Sequence, residues 1–144
     1  MQMYNILMQQ IKDEVSRLGV KELNTAEEVD ALLTHHKGTA LVFVNSVCGC
    51  AGGIARPALA MALRHSTRPD IIASVFASGD REATAQARSY FTNMPPSSPS
   101  FALLRDGKLI HMIHRSDIEI REPHEVADLL TQAFEKYCTT ATTN

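Results

Sequence analysis

Apolar side chains recur at Met3, Leu7, Ile11, Val15 and Leu18, three or four residues apart. This spacing predicts an amphipathic helix over 3–18, which Gly19 can stop. A short extended piece over 20–23 precedes Thr25-Ala26-Glu27-Glu28, a capping-box sequence whose helix runs to about His36, with Gly38 at its C′ position. The period then changes. Thr39–Asn45 is an unbroken β-branched and aliphatic run, as expected of a strand covered on both faces, and Ile71–Ala77 repeats the pattern after the break at Arg68-Pro69-Asp70. Between the two strands lies a helical stretch in which Pro57 should remove a backbone bond and kink the axis. Ser78-Gly79-Asp80 starts a further helix to about Phe91.

Met94-Pro95-Pro96-Ser97-Ser98-Pro99 cannot be helical, because each proline restricts the residue before it. Beyond it, Phe101–Leu104 and Leu109–Ile113 flank Arg105-Asp106-Gly107-Lys108, a hairpin signal. Pro123 opens a closing amphipathic helix with Val126, Leu129, Leu130, Ala133, Phe134 and Tyr137 on its apolar face. Strands alternating with helices imply parallel pairing and right-handed crossovers, and the hairpin adds antiparallel strands. The expectation is an α/β domain over 1–138, a mixed central sheet flanked by helices, with a loose tail over 139–144.

Composition narrows the function. The 144 residues carry 14 basic and 16 acidic side chains without a basic block, which argues against nucleic acid as a partner. Residues 1–15 lack the basic and apolar regions of a secretion signal, since Lys12, Asp13 and Glu14 interrupt them. No apolar run approaches the roughly 20 residues that cross a bilayer. A cytoplasmic protein with no membrane partner is expected. In that reducing compartment the 3 cysteines are not a structural framework, so a close pair points to catalysis or metal binding.

The close pair is Cys48-Gly49-Cys50, placed where the strand ending at Asn45 hands over to a helix. Helix-start N–H groups and the positive end of the macrodipole stabilise an anion there, so the Cys48 pKa should fall and its nucleophilic thiolate be enriched. Residues two apart point away from one another in a regular helix, so a Cys48–Cys50 disulfide needs a distorted backbone, which Gly49 permits. The small ring should be strained and easily reduced, suited to receiving and passing on a disulfide.

The element order, with its dithiol and proline loop, resembles a thioredoxin fold carrying an additional N-terminal helix. By that resemblance Cys48 is the nucleophile, Pro57 matches the proline of the active-site helix, and Pro99 matches the cis-proline before the hairpin. Backbone groups near Ser98 would then align a substrate chain by strand-like pairing. Cys-Gly-Cys departs from Cys-X-X-Cys, so ordinary thioredoxin activity is not expected. More closely, Val44-Asn45-Ser46-Val47-Cys48-Gly49-Cys50-Ala51, Ala55-Arg56-Pro57-Ala58, Pro96-Ser97-Ser98-Pro99-Ser100 and the terminal Cys138 resemble the bacilliredoxin family. The resemblance implies removal of bacillithiol from S-bacillithiolated client proteins, with weak disulfide isomerase behaviour. Bacillithiol or another thiol would be the exchanging reductant, and no cofactor would be bound.

Three other readings accompany it. The Cys48/Cys50 pair could serve a metal-carrying or metal-sensing module, although a closed zinc site needs four ligands, and no metal site is assigned. Arg56 could contact the anionic part of bacillithiol, against the default of an exposed helical arginine. Cys138, beside a polar tail, reads most simply as a surface thiol, with a resolving or intermolecular role as the alternative.

Overall fold

The computed structural model describes residues 2–139; the expected tail over 140–144 lies outside the described residues. Helix α1 spans Gln2–Ser16, β1 Lys21–Glu22, α2 Ala26–His35 and β2 Thr39–Asn45. A wide π turn, Ala51–Ala55, leads into α3, Arg56–Ala62. Then follow β3 (Ile71–Phe76), α4 (Arg81–Ser89), β4 (Ser100–Arg105), β5 (Lys108–Ile113), α5 (Arg115–Ile118) and α6 (Pro123–Tyr137). The strands form one mixed sheet ordered β1-β3-β2-β4-β5, parallel from β1 to β2 and antiparallel from β2 through β5.

Strand β2 is the centre of the molecule, and all seven of its residues are buried. Because side chains alternate between faces, Leu41 and Phe43 join a core with Val15, Ala55, Leu59, Val126 and Phe134, beneath α1, α3 and α6. Ala40, Val42 and Val44 join the opposite core with Val29, Leu33, Ala83 and Ala87 of α2 and α4. Phe43 stacks on Phe101 of β4, ring centroids 4.7 Å apart. Small residues on the inward face of the dithiol-bearing helix, Ala51, Ala55, Ala58 and Ala62, are fully buried and let it lie close to the sheet.

Several expectations are refined. Glu28 does reach back at the α2 start, but its carboxylate accepts from the Asn24 N–H at 2.6 Å, while Thr25 Oγ1 accepts from the Glu28 N–H. Gly38 does have positive φ (119°), yet α2 ends at His36 in extended backbone, so Gly38 turns the chain into β2 and is not the C′ residue. Pro57 does not simply kink a regular helix. The Arg56 N–H bonds the Ala51 carbonyl five residues back, and this widened turn places Pro57 in the first turn of α3, where a missing N–H is tolerated. The hairpin turn is Asp106-Gly107, both at positive φ, as a two-residue turn between twisted strands requires. The short helix α5 has no apolar period long enough to be read in advance.

Candidate active site

Cys48 is delivered by β2 and fixed by the bonds around its last residues. The Asn45 side-chain oxygen accepts from the Ser46 N–H and from Arg56 Nη1, each at 2.9 Å, and the Ser46 carbonyl accepts a further 2.9 Å bond from Arg56 Nη1. The Val47 N–H donates to Ser78 Oγ at 3.0 Å and the Cys48 N–H to Ser46 Oγ at 3.4 Å. The Cys48 carbonyl in turn accepts from the Ala51 and Gly52 N–H groups. Every backbone donor from Ser46 to Cys48 is therefore occupied, and Cys48 stands just ahead of the first helical residues. Cys48 and Cys50 are free thiols, both half-buried.

Arg56 is not the exposed helical arginine of the default reading. It is 8% exposed. Besides its bonds to Asn45 and Ser46 it donates from Nε to Glu14 of α1 at 3.2 Å, so the guanidinium ties α1 and α3 to the segment that carries Cys48. Gly52 makes room for it: a Cβ there would stand 2.7 Å from Arg56 Nη2.

The proline loop closes the site from the other side. The Ser98–Pro99 bond is cis, as the resemblance to the thioredoxin fold implies. The β2–β4 register sets Val44 opposite Ser100, so Pro99 falls beside Asn45, at the same sheet end as the dithiol. Ser97 and Ser98 are held by two arginines. Arg88 of α4 donates to the Ser97 carbonyl at 3.2 Å, and Arg115 donates from Nη1 to the Ser98 carbonyl at 3.3 Å and from its backbone N–H to Ser97 Oγ.

Partial burial disfavours the Cys48 thiolate. The Ser46 hydroxyl, the Ala51 and Cys50 N–H groups and the charge of Arg115 outweigh that burial, and the Cys48 pKa lies below the ordinary thiol value. Arg115 interacts electrostatically with Cys50 as well. Neither Ser46 nor Arg115 was singled out by sequence reasoning. Arg115 had a legible signal, because β5 runs antiparallel to β4 and so returns the chain to the end where β4 begins, beside the dithiol. Replacing Arg115 by Gln should move the pH midpoint of Cys48 alkylation upward, and Arg115→Lys should restore part of the difference. Ser46→Ala should act in the same direction through the lost hydroxyl donor.

Cys138 is not a surface thiol. It is 7% exposed, and burial raises its pKa despite the neighbouring Thr39 hydroxyl and Arg105 charge. Thr39 begins β2 and Cys48 follows its end, so the two thiols lie at opposite ends of the sheet, roughly 20 Å apart at about 3.3 Å per strand residue. Alkylation of the folded protein at neutral pH should label Cys48 and leave Cys138 unmodified until denaturant is added, as peptide mapping would show. Among the described residues, no group of three or more His, Cys, Asp or Glu side chains is placed to hold a metal ion. No described helix is long and apolar enough to cross a membrane.

A mixed sheet with a helix-start dithiol facing a cis-proline loop defines a thioredoxin-fold protein, and solved structures agree on the fold. A thioredoxin from Fasciola hepatica superimposes with a TM-score of 0.58 at 20% identity, covering 82% of this chain and 99% of that one. A thioredoxin from Trypanosoma brucei brucei gives 0.56 at 19% identity, covering 81% and 88%. The family model described as disulphide isomerase matches residues 3–138. A bacilliredoxin of Geobacillus kaustophilus is 54% identical over 94% of this chain and 93% of its own length. One of Shouchella clausii is 53% identical over 96% and 99%. The chain belongs to the bacilliredoxin family and is a thiol–disulfide oxidoreductase.

Proposed function

We propose that the protein removes bacillithiol from S-bacillithiolated client proteins in the cytoplasm, with Cys48 as the attacking thiol. The observation that carries this reading is the convergence on the Cys48 sulfur of Ser46, two backbone N–H groups and Arg115, at the sheet end that carries the Ser98–Pro99 loop, whose Ser98 carbonyl the same Arg115 holds. The Cys48 thiolate attacks the sulfur of the small thiol in the mixed disulfide; the client cysteine leaves as a thiolate, and the small thiol becomes disulfide-bonded to Cys48. Two routes clear the adduct. Cys50 can attack Cys48, expelling bacillithiol and forming the Cys48–Cys50 disulfide, which a further thiol reductant must reduce. Alternatively a second bacillithiol attacks the adduct, leaving as the bacillithiol disulfide and regenerating the Cys48 thiolate.

The one-residue spacing makes the internal route less favourable than across two residues, so Cys50 modulates turnover more than it drives it. Gly49 supplies the backbone freedom the small ring needs, and Ser98, whose carbonyl already accepts from Arg115, offers its N–H to an extended client chain. The same exchange chemistry on protein disulfides gives weak isomerase activity. No prosthetic group is required, because the electrons come from the thiols. The two thiols alone fall short of the four ligands of a closed zinc site. The test is recovery of the free client thiol from a purified S-bacillithiolated protein, with bacillithiol as reductant. The reading expects the protein to accelerate recovery well above the uncatalysed exchange; a rate equal to that exchange overturns it.

A further inference from the structure

A cavity of about 430 Å³ opens on the α4 side of the proline loop. Its walls include Phe91, Met94, Pro95, Pro96 and Met112, with Ser97 and Arg88 supplying the polar edge. The arginine is unusual within it. Its Nη2 holds the Ser97 carbonyl, but its Nε is buried without a hydrogen-bond partner, and among the described residues no carboxylate forms an ion pair with it. Burial works against its charge. A partly desolvated guanidinium with no carboxylate partner, standing at the edge of apolar walls, is a receptor for an anion attached to an apolar stem.

The position of the cavity says which anion. Ser97 is one residue from Ser98, whose backbone faces the dithiol end of the sheet, so a chain paired with the loop passes the cavity mouth. An extended chain advances about 3.3 Å per residue and sends alternate side chains to one face, so the side chain that can reach the cavity lies a few residues from the reacting cysteine. The walls offer few hydrogen-bonding groups, which suits a methylene stem better than a small thiol crowded with polar groups.

We propose that this cavity is a client-chain subsite that takes an acidic side chain with an apolar stem, glutamate above all, two to three residues from the mixed-disulfide cysteine. The proposal rests on the reading of Cys48 as the thiol that acts on client mixed disulfides. Arg88 would be its specificity-determining residue, and its charge, rather than its tether to Ser97, would set the preference.

The experiment uses synthetic peptides with one cysteine carried as a bacillithiol mixed disulfide and with Glu, Gln or Lys two or three positions to either side. For the parent protein, kcat/KM should rank Glu over Gln over Lys for one of these placements, with Glu and Lys differing by roughly tenfold or more, as charge-assisted contacts allow. Arg88→Glu should reverse the ranking, a gain for the Lys peptide that misfolding could not produce. The same peptides with Ser for Cys, followed by fluorescence anisotropy, should show the same order in affinity whatever chemistry Cys48 performs. Equal kcat/KM and equal affinity for Glu and Lys peptides overturn the proposal, as does an unchanged ranking in Arg88→Glu. Ranked affinity without turnover of any peptide would instead overturn the reading of Cys48 and leave the subsite standing.

Discussion

Cys48→Ser should lower the removal of bacillithiol from a client by three orders of magnitude or more, on the scale seen when an enzyme loses its nucleophile. The expectation follows from position. Ser46, the Ala51 and Cys50 N–H groups and Arg115 all act on the Cys48 sulfur, and a hydroxyl at that place neither ionises near neutral pH nor exchanges with a disulfide. Cys50→Ala should behave differently. It should retain release of the client thiol, because attack on the mixed disulfide needs Cys48 alone, and should slow only the clearing of the adduct. Cys138→Ala should match the parent in rate, since Cys138 is buried at the far end of the sheet. Single-turnover rates of client release for the three variants check this ordering, and a Cys50→Ala variant as inactive as Cys48→Ser would contradict it.

The second large effect is expected at Arg56. Its guanidinium occupies the Ser46 carbonyl and shares the Asn45 oxygen while buried beneath the dithiol segment. Arg56→Met fills similar space but leaves the Ser46 carbonyl without that donor, and an unsatisfied buried acceptor costs on the order of 2–3 kcal/mol. For a chain of this length that lowers Tm by roughly 5–12 °C. The Glu14 partner contributes little, because its side chain is 52% exposed and is solvated when released. Glu14→Gln should therefore change stability by less than about 0.5 kcal/mol. Thermal melts of both variants, together with the alkylation rate of Cys48, separate a clamp from a ligand-binding arginine. Unchanged stability with weakened binding of the small thiol would favour Arg56 as a ligand-binding residue over the clamp.

Those two residues also mark what could be read from the chain and what could not. Strand β2 was legible to its ends, because a strand buried on both faces leaves an uninterrupted apolar run, and its end fixes where Cys48 stands. The hairpin was legible because turn chemistry is a local signal, whereas the cis peptide at Pro99 was legible only through the resemblance to the thioredoxin fold, since a proline before a strand is by itself ordinary loop punctuation. The parallel pairing of β1, β3 and β2 followed from the alternation of strands and helices, but their order in the sheet did not. Arg56 was misplaced because its acceptors, Asn45 and Glu14, lie 11 and 42 residues away, and no local pattern records that they converge. Cys138 was misplaced because a polar sequence follows it, whereas burial depends on α6 lying against the start of β2. The role of Pro57 was half legible. Its missing N–H was evident, but the π turn over Ala51–Ala55 that places Pro57 in the first turn of α3 leaves no local mark in the sequence.

The thiol environment gives the account a pH signature. Because the Cys48 pKa lies below the ordinary thiol value, thiolate is present at lower pH than in a free thiol, and activity should persist as pH falls below neutrality until Cys48 protonates. Arg115 contributes to that persistence only as an exposed charge, so added salt should weaken its share more than the share of Ser46 and the backbone donors.

The central claim is that Cys48 itself accepts the small thiol from the client. Intact-mass and peptide-level mass spectrometry of the Cys50→Ala variant, after one turnover with an S-bacillithiolated protein, tests it most directly. The account predicts a single bacillithiol adduct per chain, located on Cys48, with the client recovered as a free thiol in equal amount. An adduct on Cys138, or client release with no adduct on the protein, would contradict it.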